Sequence, residues 1–114
     1  MEVRAKTSHL PISPQKLRLV CDQVRGMGAE QAMVVLDYLP HKGAELIRKT
    51  LASAIANAVN NFDLNQGDLY IARIYAGDGP RMRRYKAGAR GRYKPRIKRT
   101  SHLTVILAER EEEN

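Results

Sequence analysis

Ten cations occupy the nineteen positions from Arg81 to Arg99 (Arg81, Arg83, Arg84, Lys86, Arg90, Arg92, Lys94, Arg96, Lys98 and Arg99), with no acid among them. Such a run can neutralise a polyanion, because each guanidinium or ammonium group displaces condensed counterions from a phosphate. If all ten met phosphates, the logarithm of affinity would fall by roughly 7 to 9 per decade of salt. The other ten Lys and Arg face twelve Asp and Glu, so the whole formal charge of +8 comes from this one stretch. A run of a single sign points to nucleic acid rather than to a merely solvated face. A membrane-lying segment would interleave Trp, Phe and Leu, whereas the large apolar side chains here are Met82, Tyr85, Tyr93 and Ile97.

Other reactive residue types are sparse. His9, His41 and His102 lie far apart, no Cys or His pair has metal-ligand spacing, and no metal or other cofactor is expected. Cys21 has no partner for an intramolecular disulfide and falls on an apolar helical stripe, which suits a small buried side chain. No serine sits in a nucleophile elbow, no Gly-rich loop opens a helix, and no pair of acids stands out, so no enzyme is expected. Lys16 and Arg18 read either as solvated charges or as phosphate contacts. Asn57, Asn60 and Asn61 read either as helix terminators or as donors to sugar and phosphate.

The elements that must carry these residues follow from periodicity. At 114 residues and 43% hydrophobic content the chain is expected to form one globular domain. With a sequence pI near 10.0, one cysteine, no apolar run near membrane-spanning length and a charged N-terminus, it reads as soluble and intracellular. Val3, Ala5 and Thr7 alternate with polar residues from Glu2 to Ser8 as in a half-buried strand. Ser13-Pro14 opens a first helix carrying Leu17, Val20, Cys21 and Val24, which Gly26 stops. Gly28 to Leu39 forms a second, with Ala32, Met33, Leu36 and Leu39 on one face and Pro40 as its end. The third and longest begins after His41, carries a stripe from Leu46 through Ile47, Leu51, Ala54, Ile55, Ala58 and Val59 to Phe62, and runs out in Asn60-Asn61.

The residues from Leu69 and those from Leu103 to Leu107 are β-branched, aromatic or aliphatic, and predict two paired strands. Everything between must go out and return, with a turn around Ala87 to Gly91, which makes a long basic β-hairpin. Arms of about 18 residues at ~3.3 Å each would reach on the order of 60 Å. Along Arg90 to Lys98 the cations fall at every second residue, so in an extended strand they share a side. Pro95 should interrupt pairing or lie at an edge, and the outer hairpin is expected to order only when anions surround it. A ribbon that enters DNA as a dimer often carries a wedge residue at its tip; Ala87, Gly88 and Ala89 supply none, and a flexible Arg-rich arm suits irregular RNA. An architectural DNA-binding protein with a basic β-ribbon is the alternative, marked by dimerisation and a preference for duplex DNA.

Several segments, in order and spacing, carry a resemblance: Ser13-Pro14-Gln15-Lys16-Leu17-Arg18, Val24-Arg25-Gly26, Ala52-Ser53-Ala54-Ile55-Ala56-Asn57-Ala58 with Asn60-Asn61, Gly79-Pro80, Ala89-Arg90-Gly91-Arg92, and Lys98-Arg99-Thr100-Ser101-His102-Leu103-Thr104-Val105. Across nearly the whole chain this resembles the bacterial-type large-subunit ribosomal protein twenty-two family. The resemblance implies an α+β body of three helices packed on a small three-stranded antiparallel sheet, with a long protruding basic hairpin. It also implies a structural role in the large subunit, binding and supporting the assembly of its ribosomal RNA. The hairpin tip would line the peptide exit tunnel beside large-subunit ribosomal protein four, meet the nascent peptide in passing, and lie close to where macrolides bind.

The boundaries expected are a body of residues 1–76 and 102–110, a hairpin of 77–101 and an acidic tail of 109–114. Expected RNA contacts are Lys6, Lys16, Arg18, Arg25, Asn57, Asn60, Asn61, Arg81, Arg83, Arg84, Arg96, Lys98, Arg99, Thr100, Ser101 and His102. Lys86, Ala87, Gly88, Ala89, Arg90, Gly91 and Arg92 form the expected tip, and Tyr85 or Tyr93 could stack on a base. The family commonly has Pro-Arg where this chain has Ala87-Gly88, so the contacts of that Arg are not carried over, and the glutamate-rich end is a second departure. The expected location is a cytoplasmic or an organellar ribosome, with no membrane partner and no homo-oligomer.

Overall fold

Val3, Ala5 and Thr7 alternate with exposed charged residues and make β1 (Glu2–Leu10), with Val3 fully inside. The computed structural model describes residues 2–79, 82–87 and 93–109, with side chains for 2–79 and 99–109. At His9 the backbone turns left-handed (φ 59°) and the register with the neighbouring strand shifts between Thr7 and Leu10. The inserted residue moves Leu10 onto the buried side, which simple alternation would have left outside.

Three helices follow: α1 (Pro14–Val24), α2 (Ala29–Tyr38) and α3 (Lys42–Phe62). Ser13 stands at the N-cap of α1 as expected, but its hydroxyl makes no capping bond; the extended backbone there and Pro14 in the first turn define the start. The Arg25 N–H closes on the Cys21 carbonyl, and Gly26, at φ 82°, turns the chain out. The α2 face keeps Ala32 and Leu36 inside. On α3, Ile47, Leu51, Ala54, Ile55 and Ala58 are buried, so this helix supplies much of the core.

Two expectations for α3 are corrected. Asn60 and Asn61 remain helical, and the stop is Asp63, which takes the left-handed conformation (φ 54°) that a short polar side chain tolerates. Phe62, assigned to the apolar stripe, is 45% exposed at the last residue of α3, one position before the left-handed Asp63.

A 3₁₀ turn (Gln66–Asp68), capped by the Asn65 side chain accepting from Gly67 N at 3.1 Å, leads into β2 (Leu69–Asp78). Then come β3 (Met82–Ala87), β4 (Tyr93–Lys98) and β5 (Ser101–Glu109). The sheet of the body has the order β1-β5-β2 and is antiparallel throughout, so the two apolar runs paired on sequence grounds are neighbours. On the helix-facing side, Leu103, Val105 and Leu107 of β5 meet Thr7, Ala5 and Val3 of β1 and Ala76, Ile74 and Ile71 of β2. The fold is α+β, with three helices on a three-stranded antiparallel sheet.

The β2–β5 ladder continues to Asp78 opposite Ser101, and beyond it Gly79 N–H donates to the Thr100 carbonyl at 2.9 Å. Glycine is required at that step: a Cβ on Gly79 would press into Thr100 Oγ1 and lie 3.1 and 3.2 Å from its carbonyl carbon and oxygen. The backbones of β3 and β4 pair antiparallel from Met82 opposite Lys98 to Ala87 opposite Tyr93. Pro95 falls opposite Tyr85 in a two-stranded ladder where each strand is an edge, and an edge tolerates a missing donor. The expected turn residues Gly88 to Gly91, together with Arg92, Arg81 and the acidic tail beyond Glu109, lie outside the described residues.

Candidate nucleic-acid interface

Arg18 on α1 and Arg25, the residue just past its end, are exposed, and both reach the free edge of β2. Arg18 Nε donates to the Ala76 carbonyl at 3.0 Å, and Arg25 Nη2 donates to the Ile74 carbonyl at 2.9 Å. Farther along the same edge, Ile71 N–H bonds the Met27 carbonyl at 2.9 Å, and Gly26 N–H bonds the Ile71 carbonyl at 3.2 Å. The edge is thereby closed to another strand. Arg25 is also ion-paired with Asp22. Lys16 stands apart from these two, on the rim of an apolar groove of about 390 Å³ between α1 and the start of α3 that includes Leu19 and Lys42.

Lys6 and the three asparagines come together. A groove of about 420 Å³ between β1 and α3 is lined by Arg4 and Lys6 on one wall and by Ser53, Asn57, Asn60 and Asn61 on the other. The strand wall is possible because β1 pairs with β5 alone and leaves its other edge open. The helix wall follows from spacing: residues 53, 57, 60 and 61 recur at three- and four-residue intervals and share a face. Asn61 Nδ2 donates to Asn57 Oδ1. Arg4 and Ser53 are the residues that sequence reasoning missed. Their signals were present, since Arg4 has the strand parity of Lys6 and Ser53 precedes Asn57 by one helical turn.

At the base of the hairpin the expected contacts divide. Arg99 is exposed, whereas Thr100 is 5% exposed and Ser101 is fully buried, with its hydroxyl donating to the Ile12 carbonyl at 2.5 Å. Ser101 thereby ties β5 to the loop before α1, while Thr100 packs against Gly79 at the end of β2. His102 is half-buried; its Nδ1 accepts from His9 N–H at 3.2 Å, and the two rings meet edge to face at 5.1 Å. The side chains of Arg83, Arg84, Tyr85, Lys86, Ala87, Tyr93, Arg96 and Lys98, and the residues Arg81, Gly88, Ala89, Arg90, Gly91 and Arg92 altogether, lie outside what is described. The backbone register sets Arg84 opposite Arg96 and Lys86 opposite Lys94.

Electrostatics sharpen the picture of the body. Asp22, Asp37, Glu45 and Glu2 are engaged by Arg25, Arg48, Lys49 and Arg73, the last two at 3.8 and 2.6 Å. Arg4, Lys6 and Lys16 have no acidic partner among the described residues. No cluster of His, Cys, Asp or Glu suited to a metal occurs among those residues, and no helix there is long and apolar enough to cross a membrane. Burial pushes the Cys21 thiol up to about 11, the reverse of what a nucleophile needs.

The chain is 47% identical over 110 residues to the large ribosomal subunit protein uL22 of Chloroflexus aggregans, covering 96% of this chain and 97% of that one. It is 49% identical over 109 residues to the protein of the same name from Thermomicrobium roseum, covering 96% and 92%. It is 46% identical over 112 residues to that of Carboxydothermus hydrogenoformans, covering 98% and 99%. Residues 5–108 match the family described as ribosomal protein L22p/L17e, and the chain belongs to that family.

Proposed function

We propose that this chain binds large-subunit ribosomal RNA as a structural constituent of the large ribosomal subunit, supports the packing of that RNA during assembly, and lays its basic hairpin into the wall of the peptide exit tunnel. It is a ribosomal protein without enzymatic activity. It works in the cytoplasmic ribosome, among ribosomal RNA and ribosomal proteins. The observation that carries the reading is the one-signed run from Arg81 to Arg99, whose ten cations meet no acid in nineteen residues. The chain acts as one domain, a body of 1–76 and 102–110 with a hairpin of 77–101.

The mechanism is neutralisation combined with shape. Arg81, Arg83, Arg84, Lys94, Arg96, Lys98 and Arg99 on the arms bind phosphates, and Tyr85 or Tyr93 stacks on a base. Residues Lys86 to Arg92 face the tunnel beside large-subunit ribosomal protein four and the passing nascent peptide. On the body, Lys6, Asn57, Asn60, Asn61 and Lys16 give a second foothold, joined by Arg4 and Ser53 of the same groove. Arg18 and Arg25 bind through the guanidinium nitrogens that β2 does not occupy. Thr100 and Ser101 act by holding Arg99 and His102 in place.

A filter-binding salt titration on large-subunit ribosomal RNA tests the reading. With seven cations on the arms and five on the body, a logarithmic slope of roughly 8 to 11 is expected, and one below about 3 contradicts the reading. Sedimentation of lysate at moderate salt should carry the protein with large subunits; protein running free would count against the assignment.

A further inference from the structure

We propose that the groove between β1 and α3 reads the ribose 2′-hydroxyl, so that the body of this protein, and not its hairpin, distinguishes RNA from DNA. The inference rests on the RNA-binding reading above and names the chemical group recognised at one part of that surface. Arg4 and Lys6 on β1 face Asn57 and Asn61 on α3 across an opening of about 420 Å³ with no acid in its lining. The cationic wall suits a phosphate, and the amide wall suits the adjoining sugar.

Asn61 Nδ2 donates to Asn57 Oδ1, and that bond fixes what the amides can still offer. Asn57 keeps two N–H donors, while Asn61 keeps its carbonyl oxygen and one further N–H. A donor and an acceptor therefore stand one helical turn apart on the same face. The ribose 2′-hydroxyl is both donor and acceptor and can satisfy the couple; deoxyribose can satisfy neither half. Ala56 lies beside the couple in the same lining, so there is no bulk to hold a sugar away.

Between Arg81 and Arg99 only the hydroxyls of Tyr85 and Tyr93, side chains given above to base stacking, combine donor and acceptor. The hairpin's cations are point charges and forks for phosphate, a group common to both polymers, and its glycines and alanines carry no side-chain donor or acceptor. Discrimination assigned to the groove should therefore separate from the bulk of the affinity.

The test uses the full chain and three single strands of one mixed sequence, about 12 nucleotides long, made as RNA, as DNA and as 2′-O-methyl RNA. Fluorescence anisotropy at fixed salt should show RNA bound about tenfold tighter than either analogue, a difference of about 1.4 kcal/mol. The Asn57→Ala/Asn61→Ala variant should bind all three alike, at the affinity the wild type shows for DNA. The Arg4→Gln/Lys6→Gln variant should lose affinity for RNA and DNA equally and lower the salt slope by about 1.4. Equal binding of the three strands by the wild type overturns the inference, as does a preference that survives the asparagine substitutions. Because the 2′-O-methyl strand alters the ligand and leaves the protein intact, the conclusion stands apart from any folding defect in a variant. A wild type that binds large-subunit RNA with the expected steep slope yet ignores the 2′-hydroxyl would refute this inference alone. A shallow slope on that RNA would refute the proposed function.

Discussion

Residues of the same chemical type have separate fates in this molecule, and burial decides which. Ser101 and Ser53 are both small hydroxyls within family motifs, but Ser101 is sealed against the Ile12 carbonyl whereas Ser53 opens onto a groove. Replacing Ser101 with Ala leaves the part-buried Ile12 carbonyl without this donor and should cost about 1 kcal/mol in urea unfolding. Cys21 is sealed in the same way: burial raises its thiol to about 11, above its usual 9.0. The folded state then holds its proton where the unfolded state has released it. Stability from this group is complete below pH about 9 and declines as pH rises toward 11. Iodoacetamide at pH 8 should leave the native protein unmodified and label it stoichiometrically in urea.

At the scale of elements, the junction between β2 and β5 is where the body hands over to the basic segment. Gly79 makes this possible by letting Thr100 approach its Cα, and Gly77, two residues earlier, has nothing within 4 Å of a Cβ. Gly79→Ala should therefore lower stability by about 1–3 kcal/mol through overpacking, whereas Gly77→Ala should stay within about 0.5 kcal/mol. Denaturant unfolding of the pair separates close approach from glycine content as the cause. The helices were legible because their apolar residues recur at helical spacing, and β2 and β5 because their runs are β-branched and aliphatic. The end of α3 was not legible: Asn60 and Asn61 are as plausible at a stop as Asp63, and only the tertiary position of the last turn favours Asp63. The bulge at His9 was equally hidden, since nothing local marks where β1 must realign to bury Leu10.

For the whole molecule, charge and core are divided along the chain. Among the described side chains, the buried apolar residues fall within 3–76 and 103–107. Replacing residues 80–99 with an Asn-Gly turn between the hydrogen-bonded Gly79 and Thr100 should thus leave a folded body with cooperative melting. The same variant should lose most RNA affinity, and its salt slope should fall to roughly 4, the share left to Arg4, Lys6, Lys16, Arg18 and Arg25 on the body. Circular dichroism and filter binding on one preparation check both halves.

By itself the sequence determined the partner class, because net charge along a run is a sum over residues that folding cannot change, and it determined the elements, because periodicity is local. It also held the family, in motifs spread from Ser13 to Val105 and in a match over residues 5–108. Only the tertiary structure decided that Arg4 and Lys6 face Asn57 and Asn61, fifty residues away, and that Arg18 and Arg25 close the β2 edge. It alone showed that Ser101 is inside. Those facts depend on how a strand edge and a helix face are set against each other in space, and spacing along one chain does not encode that distance.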